Sequence, residues 1–196
     1  MSPRRSDARQ RMLDRTSALI RQRGASGTSV DDILAHSGAP RGSVYYYFPR
    51  GRSQLIEETV DRAGDSVAQL IAAAGDVTPV EVFNLFVRAW RDGLVDSDFR
   101  SGCPVLAAAI ESSDEEPETV NAAGRAFSNW CAALAHLLRR HGVTQAESRR
   151  LANLVVAAVE GAVVLSRTDR SLQPVDDVGR SLRALLHDAV TGGQLR

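Results

Sequence analysis

Apolar side chains recur along this chain every three or four positions, with charged residues between them. This period is typical of amphipathic helices, and no stretch alternates with the two-residue period of a strand. Glycine, proline and short acidic turns interrupt the pattern. It predicts an all-α fold, with three helices in the first 50 residues and about six more over roughly 52–74, 78–95, 101–113, 118–140, 144–168 and 174–191.

The first three predicted helices form a helix-turn-helix. The first covers about residues 6–24, and the second runs to Ser37 behind a capping box formed by Ser29 and Asp32. Gly38 supplies a sharp turn, and Pro40 suits the opening of the third helix. A helix, a short glycine-containing turn and a second short helix are the parts of this motif.

The third helix carries all three tyrosines of a chain that is only 5% aromatic. Val44 and Phe48 are four residues apart and are expected to face inward, which leaves Tyr45 and Tyr46 toward the opposite side. Rings with polar tips on a short helix suit a nucleic-acid groove, because hydroxyl groups can reach phosphates or base edges there. A buried aromatic cluster is the alternative interpretation.

Charge is distributed unevenly, although the formal net charge is zero. Residues 1–52 contain ten arginines and four acids, and residues 53–196 contain fourteen arginines and twenty acids. A basic N-terminal segment on an acidic remainder is the distribution expected of a DNA-binding head on a body that does not bind DNA. We therefore predict two domains, a DNA-binding domain over 1–52 and a second domain over 53–196, to which the features described below assign effector binding and dimerisation.

The segment from Arg11 to Leu55 resembles the DNA-binding head of the TetR family of bacterial transcriptional repressors. The resemblance depends on Gly24, the stretches 28–33, 37–38, 41–45 and 48–49, and the start of a fourth helix at Arg52. Pro40 stands where many members have serine, which removes the usual side-chain cap of the recognition helix.

Carried over by position, the resemblance implies a set of DNA contacts. Tyr45 would donate its hydroxyl to a phosphate, and Arg41 and Tyr46 would meet base edges or thymine methyl groups. Gly42 would allow close approach of the backbone to the duplex. The remaining implied contacts are phosphate binding by Thr28, Ser29 and Arg52, a place on the recognition helix for Ser43, and a basic arm formed by Arg4, Arg5 and Arg9.

A second stretch, residues 99–111, is similar to the Gly-Cys-Pro segment of the LmrA/YxaF-like subgroup of the TetR family. The stretches 159–162 and 166–169 extend this resemblance. It implies that the whole chain, and not only its head, belongs to the subgroup.

The last two predicted helices carry wide apolar stripes. A helix-turn-helix head reads one half-site, so a two-fold dimer is needed to hold two recognition helices about one DNA turn apart. We expect a dimeric four-helix bundle here, with completion of the monomer's own core as the alternative. The residues assigned to the dimer are Leu151, Val155, Ala158, Ala162, Leu182, Leu185 and Leu186.

Aromatic residues on the central helices suggest a cavity for a hydrophobic effector. Packing of the same residues in an ordinary helical core is the competing interpretation. The candidate effector contacts are Phe86, Trp90, Cys103, Leu106, Phe127, Trp130 and Glu160.

Other classes of protein are disfavoured by what the sequence lacks. Cys103 and Cys131 lie far apart with no metal-ligand spacing, and no catalytic or cofactor motif is found, so we expect neither a metal, a cofactor nor an enzyme. No run of about 18 apolar residues and no secretory signal is found, which favours a cytoplasmic protein without membrane association.

These observations predict a homodimeric repressor that binds a palindromic operator and is released by a small hydrophobic effector. A regulator that senses thiol oxidation through Cys103 or Cys131 is the alternative.

Overall fold

The computed structural model describes residues 3–40, 42–73, 75–111 and 117–194, and the side chains of residues 7–40, 42–73, 75–111 and 117–192. All regular structure in these ranges is helical, which confirms the predicted all-α fold. The helices in chain order are α1 (Pro3–Arg23), α2 (Val30–Ser37), α3 (Ser43–Tyr47), α4 (Arg52–Ala72), α5 (Pro79–Asp96), α6 (Pro104–Glu111), α7 (Pro117–Arg140), α8 (Gln145–Asp169) and α9 (Gln173–Gln194).

The head, which we define as α1, α2 and α3, packs around one apolar core. Because the inward positions of each helix are aliphatic or aromatic, the three helices bury them against one another and against the start of α4. The buried residues of this core are Met12, Leu13, Leu19, Ile33, Leu34, Val44, Phe48 and Leu55.

Helix α2 begins and ends where the sequence predicts. The Ser29 hydroxyl accepts from the Asp32 amide at 3.1 Å, and the Asp32 carboxylate accepts from the Ser29 amide at 3.2 Å. This is the predicted capping box, which satisfies two amides that the helix itself leaves open. At the other end Gly38 has a φ of +65°, which favours glycine and turns the chain toward α3.

The chain divides into two compact units by its internal packing. The first contains residues 1–64 and 103–126, and the second contains residues 65–102 and 127–196. Helices α4 and α7 are each continuous through the point at which the chain passes from one unit to the other. The boundary between functional domains at residue 52 stays a prediction, because packing units and functional domains need not coincide.

In the second unit, α5, the C-terminal part of α7, α8 and α9 share the main apolar core. The largest side chains that are fully buried in it are Leu94, Leu138, Leu151 and Leu186. Helix α5 starts with a capping box of its own, in which the Thr78 hydroxyl accepts from the Glu81 amide at 3.3 Å.

Helix α8 is long and apolar enough to pass a test for a membrane span based on length and composition, with a mean hydropathy of 1.5. The same composition is expected of a core helix in a water-soluble bundle. Nine residues of α8 are buried within the protein, among them Leu151, Val155 and Val163. We therefore interpret α8 as a core helix.

Candidate nucleic-acid interface and ligand cavity

Helix α3 is anchored by two buried side chains and exposes two tyrosines to solvent. Val44 and Phe48 have no exposed surface, whereas Tyr45 and Tyr46 are 63% and 61% exposed. The four-residue spacing of the buried pair fixes the rotation of this short helix, and the exposed pair follows from it. Sequence analysis placed all four residues correctly.

The rest of α3 fits a surface that meets another molecule. The ring of Tyr47 is half-buried and meets the Tyr46 ring edge-on, with 4.9 Å between ring centroids, which limits the directions that Tyr46 can take. Ser43 is half-buried, and Gly42 is exposed, with open space where a Cβ would stand. Gly42 is the N-cap of α3 and has no side chain that could cap the helix.

The N-terminus of α2 forms the second part of this surface. Ser29 is exposed, and its hydroxyl also donates to the Asp32 carboxylate at 2.5 Å. Hydrogen bonds from the Ser29 side chain and backbone lower the pKa of Asp32. A carboxylate held here by the capping box is negatively charged at neutral pH, so it reduces the attraction of this helix terminus for a phosphate.

Thr28 lies beneath the surface instead of on it. Its side chain is fully buried, its hydroxyl donates to the Gly24 carbonyl at 2.8 Å, and its amide donates to the Ala25 carbonyl at 3.2 Å. Because both donors are occupied within the chain, the prediction that Thr28 contacts a phosphate is wrong.

Arg52 braces the loop between α1 and α2. Its Nε donates to the Thr28 carbonyl at 2.7 Å, and its Nη2 donates to the Ala25 carbonyl at 2.5 Å. These two bonds order the loop without using every donor of the guanidinium, so the contact of Arg52 with the DNA backbone stays a prediction.

Glu111 holds the same loop through α6. Its carboxylate accepts from the amide and from the hydroxyl of Ser26, at 3.1 and 3.0 Å. Gly24 has a φ of +83°, and a Cβ at that position would collide with the same carboxylate. A residue with a side chain could not end α1 in this way.

Several arginines of the head pair with acids of α4. Arg9 forms an ion pair with Glu58 and lies over the Phe48 ring at 5.0 Å, and Arg50 donates to Glu57 at 2.6 Å. The arginine excess in residues 1–52 is therefore partly neutralised within the protein. The predicted contacts of Arg41 and of the side chains of Arg4 and Arg5 lie outside the described residues.

The second unit contains an apolar cavity between helices α4, α5, α7 and α8. Its internal volume is about 40 Å³, and it opens to solvent at its mouth. We call it the ligand cavity. Its wall consists of Val67, Leu70, Ile71, Val82, Phe83, Phe86, Trp130, Leu134, Val155, Val156, Val159 and Glu160.

The structure brings three of the seven predicted effector residues into this wall, namely Phe86, Trp130 and Glu160. Trp90 and Phe127 are not part of it, and pack edge-on against Phe86 and Trp130, with ring centroids 6.3 and 5.3 Å apart. Cys103 and Leu106 belong to the first unit and do not line the cavity, so their prediction as wall residues is not supported.

The α4 contribution to the wall was missed because sequence analysis looked for aromatic residues. Val67, Leu70 and Ile71 are aliphatic, and Leu70 is 53% exposed. The spacing of Val67, Leu70 and Ile71 by three and four residues was the available signal, since it marks an apolar face of α4.

The surroundings of the two cysteines do not favour the thiol-sensing alternative. Cys103 is buried, and burial raises the pKa of Cys131, which disfavours the reactive thiolate. No group of three metal-ligating side chains occurs within the described parts of the chain.

The dimer residues predicted from the sequence lie inside the protein. Leu151, Leu182 and Leu186 are at most 5% exposed and contribute to the core shared by α5, α8 and α9. The other four are buried or half-buried in the same core: Val155, Ala158, Ala162 and Leu185. The intramolecular alternative therefore holds for this set, and it is not a free surface for a second chain.

A different face of α8 is apolar and exposed. Leu154, Val164 and Leu165 are 40%, 42% and 54% exposed, and Ala157 and Gly161 lie between them on the same face. We call these five residues the α8 stripe. Their spacing of three and four residues was readable in the sequence as a second stripe.

Comparisons with known proteins agree with the two parts of the chain. Residues 12–59 match the family model described as bacterial regulatory proteins, tetR family. Residues 79–181 match the model described as transcriptional regulator LmrA/YxaF-like, C-terminal domain.

Individual relatives extend over nearly the whole chain. An uncharacterized HTH-type transcriptional regulator of Mycobacterium tuberculosis, Rv0196, is 40% identical over 91% of this chain and 93% of its own. The HTH-type transcriptional regulator LmrA of Bacillus subtilis is 28% identical over 92% of this chain and 97% of its own. The crystal structure of the regulatory protein TetR from Rhodobacter sphaeroides has a TM-score of 0.79 at 23% identity, covers 90% of this chain and 97% of its own, and supports the fold.

Proposed function

Since the chain belongs to the TetR family of DNA-binding transcriptional regulators, in its LmrA/YxaF-like group, we propose that it is a homodimeric repressor. It binds a palindromic operator in the cytoplasm and is released by a small hydrophobic effector. The family and the relatives are regulators and not enzymes.

The observation that carries the DNA-binding part is the exposure of Tyr45 and Tyr46 on a helix fixed by Val44 and Phe48. Tyr45 donates its hydroxyl to a phosphate, and Tyr46 contacts base edges or thymine methyl groups in the major groove. Arg41 makes a second contact, also with a base edge or a thymine methyl group.

Two further positions support this docking. Gly42 allows the backbone to approach the duplex, because nothing stands where its Cβ would be. Ser29 makes a phosphate contact in this proposal because its side chain is exposed at the start of α2.

The α8 stripe supports the dimer. An isolated chain would leave this apolar face in water, and a second copy related by a two-fold axis would cover it with the same face. Ala157 and Gly161 are small enough for two helices to approach closely along the stripe. Each dimer then carries two recognition helices, which a palindromic operator requires.

The ligand cavity supports control by an effector. Helix α4 lines it with Val67 and Leu70, and the same continuous helix begins at Arg52, which holds the loop between α1 and α2. A ligand that displaces the cavity end of α4 therefore acts on the head through that arginine. A coupling of about 1–3 kcal/mol would weaken operator binding about 5- to 150-fold.

Fluorescence anisotropy with a labelled duplex from upstream of the protein's own gene tests this function. We expect two protomers per duplex, preference over a scrambled duplex, and an affinity that falls on the order of 1,000-fold between about 50 and 200 mM salt. Candidate hydrophobic compounds should release the complex.

Leu165→Glu tests the dimer in the same assay. It should give monomers in sedimentation and lose operator binding, because it places a charge in the α8 stripe. Leu85→Glu is the matched control, since Leu85 on α5 is 52% exposed and lies outside the stripe. A wild-type protein that stays monomeric at micromolar concentration and does not distinguish the two duplexes would contradict the proposal.

A further inference from the structure

A groove between α5 and α9 of the second unit concentrates positive charge. Its wall contains three arginines and one aspartate, which give it a net charge of +2. We propose that this groove binds a small phosphate monoester. This ligand class is distinct from the hydrophobic effector, so the inference does not depend on the proposed function. The wall residues are Asn84, Val87, Arg88, Arg91, Asp176 and Arg183.

The groove follows from the helix period and from one glycine. Asn84, Arg88 and Arg91 are spaced by four and three residues on α5, so they share one face of that helix. On α9, Gly179 approaches the buried Val87 so closely that a Cβ at this glycine would lie 3.3 Å from the valine side chain. The two helices therefore meet at the level of Val87, and their polar side chains line the groove above it.

One asparagine holds two of the three arginines. Arg183 donates through its Nε to the Asn84 side-chain oxygen at 2.7 Å, and Arg88 donates through its Nε to the Asn84 carbonyl at 3.3 Å. The terminal nitrogens of both guanidiniums make no hydrogen bond or ion pair with the residues that the structure describes. Two guanidiniums with donors available to a ligand therefore lie beside the same residue.

The third arginine is compensated within the groove. Arg91 forms an ion pair with Asp176. The charge that this aspartate leaves uncompensated therefore resides on Arg88 and Arg183, and guanidiniums stay protonated throughout the pH range in which proteins fold. Because like charges held close together repel, an anion placed between these two arginines is attracted by both.

A phosphate monoester suits two such guanidiniums. It carries a charge of about −1.5 to −2 at neutral pH and three strong acceptor oxygens, which two arginines can share. The planar fork of arginine matches a pair of phosphate oxygens. The groove has a volume of about 370 Å³ and opens to solvent, so it has room for the organic part of the ligand. Val87 offers that part an apolar contact.

Three probes that share a phenyl ring test this inference by isothermal titration calorimetry: phenyl phosphate, phthalate and benzoate. At neutral pH the first two are dianions and the third is a monoanion. We expect the full-length protein to bind phenyl phosphate about tenfold more tightly than benzoate, because the second charge and the third oxygen add charge-assisted hydrogen bonds. Phthalate should bind less tightly than phenyl phosphate, since its charges are divided between two carboxylates.

Arg88→Gln removes one uncompensated charge and only a contact within α5, so the fold should not change. It should weaken phenyl phosphate binding about tenfold, and Arg183→Gln should do the same. Arg149→Gln is the matched control, because Arg149 is exposed on α8 and lies outside the groove. It should leave the affinity unchanged. Phosphate contacts of the DNA-binding head would not respond to any of these substitutions.

Asp176→Asn has the opposite expected effect. It removes the acid of the wall and releases Arg91, so phenyl phosphate should bind more tightly than to the wild type. A merely structural role of these side chains would not produce this gain.

Phenyl phosphate binding that is absent, or unchanged in both groove arginine variants, would overturn the inference. Phthalate or benzoate binding as tight as that of phenyl phosphate would overturn the assignment to a phosphate monoester. Operator binding of the same protein samples judges the proposed function separately.

Discussion

The tyrosines of α3 and the aromatic residues of the ligand cavity differ most in what covers them. Tyr45 and Tyr46 leave 63% and 61% of their surfaces in solvent, whereas Phe83 and Trp130 leave 3% and 4%. Burying a ring of this size stabilises a fold by about 1.5–3 kcal/mol, so an exposed pair forgoes that gain. The two tyrosines are therefore candidates for contact with a partner, while Phe83 and Trp130 contribute to the packing of the second unit.

The two regions are also held in place differently. In the head, hydrogen bonds from Arg52 and the capping box of Ser29 and Asp32 fix the loop and the helix start that lie next to α3. The cavity wall consists of aliphatic and aromatic side chains apart from Glu160, so apolar packing holds it in place.

The largest expected effect is on stability, and it comes from removing the buried ring that anchors α3 to the core of the head. Phe48→Ala should lower the free energy of unfolding by about 3–5 kcal/mol, because it leaves a cavity in the core of the head. Chemical denaturation followed by circular dichroism measures this change. Phe48→Leu is the control and should cost clearly less, since it fills most of the space. Equal stabilities of the alanine variant and the wild type would show that the head core does not depend on this ring.

Substitution of an exposed tyrosine should change operator binding and leave the stability of the protein almost unchanged. Tyr46→Ala should weaken operator binding by about 1–3 kcal/mol, roughly 5- to 150-fold, and reduce discrimination against a scrambled duplex. Its free energy of unfolding should change by only about 0.5 kcal/mol, because the ring is mostly in solvent. Anisotropy titrations and denaturation curves of the same sample measure both quantities.

Tyr45→Phe refines this test because it removes only the hydroxyl assigned to a phosphate. It should weaken binding to both duplexes by a similar factor and leave discrimination unchanged. If Tyr46→Ala lost as much stability as Phe48→Ala, Tyr46 would belong to the core of the head. That result would contradict the distinction between exposed and buried rings.

The sequence was sufficient for the helices and for the orientation of α3. Helix periodicity and capping residues are local, and the positions of Val44, Phe48, Ser29 and Gly38 follow from them. The family resemblance supplied the rest of the head. Both the local helix signals and the family resemblance can be read from one sequence without knowledge of its tertiary contacts.

The errors arose where tertiary contacts decide. Helix α8 has two apolar faces, and which of them α9 covers cannot be read from its period, so the buried Leu151 was assigned to the dimer in place of Leu165. Thr28 has the residue type of a phosphate contact, but its donors are used by carbonyls of the α1–α2 loop. Cys103 and Leu106 were assigned to the cavity as polar or soft contacts, but the fold places them outside its wall.

The smallest expected effect is a change in the pH dependence of stability, and it concerns the capping box of α2 in the head. The Asp32 carboxylate has a pKa below its ordinary value because Ser29 donates to it, first through its side chain and then through its backbone. A group whose pKa is lower in the folded state stabilises the fold above its unfolded pKa, and this contribution is lost as the pH falls through the folded pKa. Asp32→Asn should therefore lower the melting temperature at neutral pH, and the difference from wild type should shrink below about pH 4.

Thermal unfolding at a series of pH values measures this difference. Asp65→Asn, at an exposed position on α4, is the control and should melt like the wild type at each pH. Glu81→Gln provides the counterpart in the second unit, because hydrogen bonds from Thr78 lower the pKa of Glu81 in the same way. If Asp32→Asn weakens operator binding and Glu81→Gln does not, the capping box of α2 supports the reading surface as well as the fold. If both variants weaken operator binding, or neither does, the capping box of α2 has no special part in positioning α3. The equivalent capping box at the start of α5 would then have the same effect on operator binding.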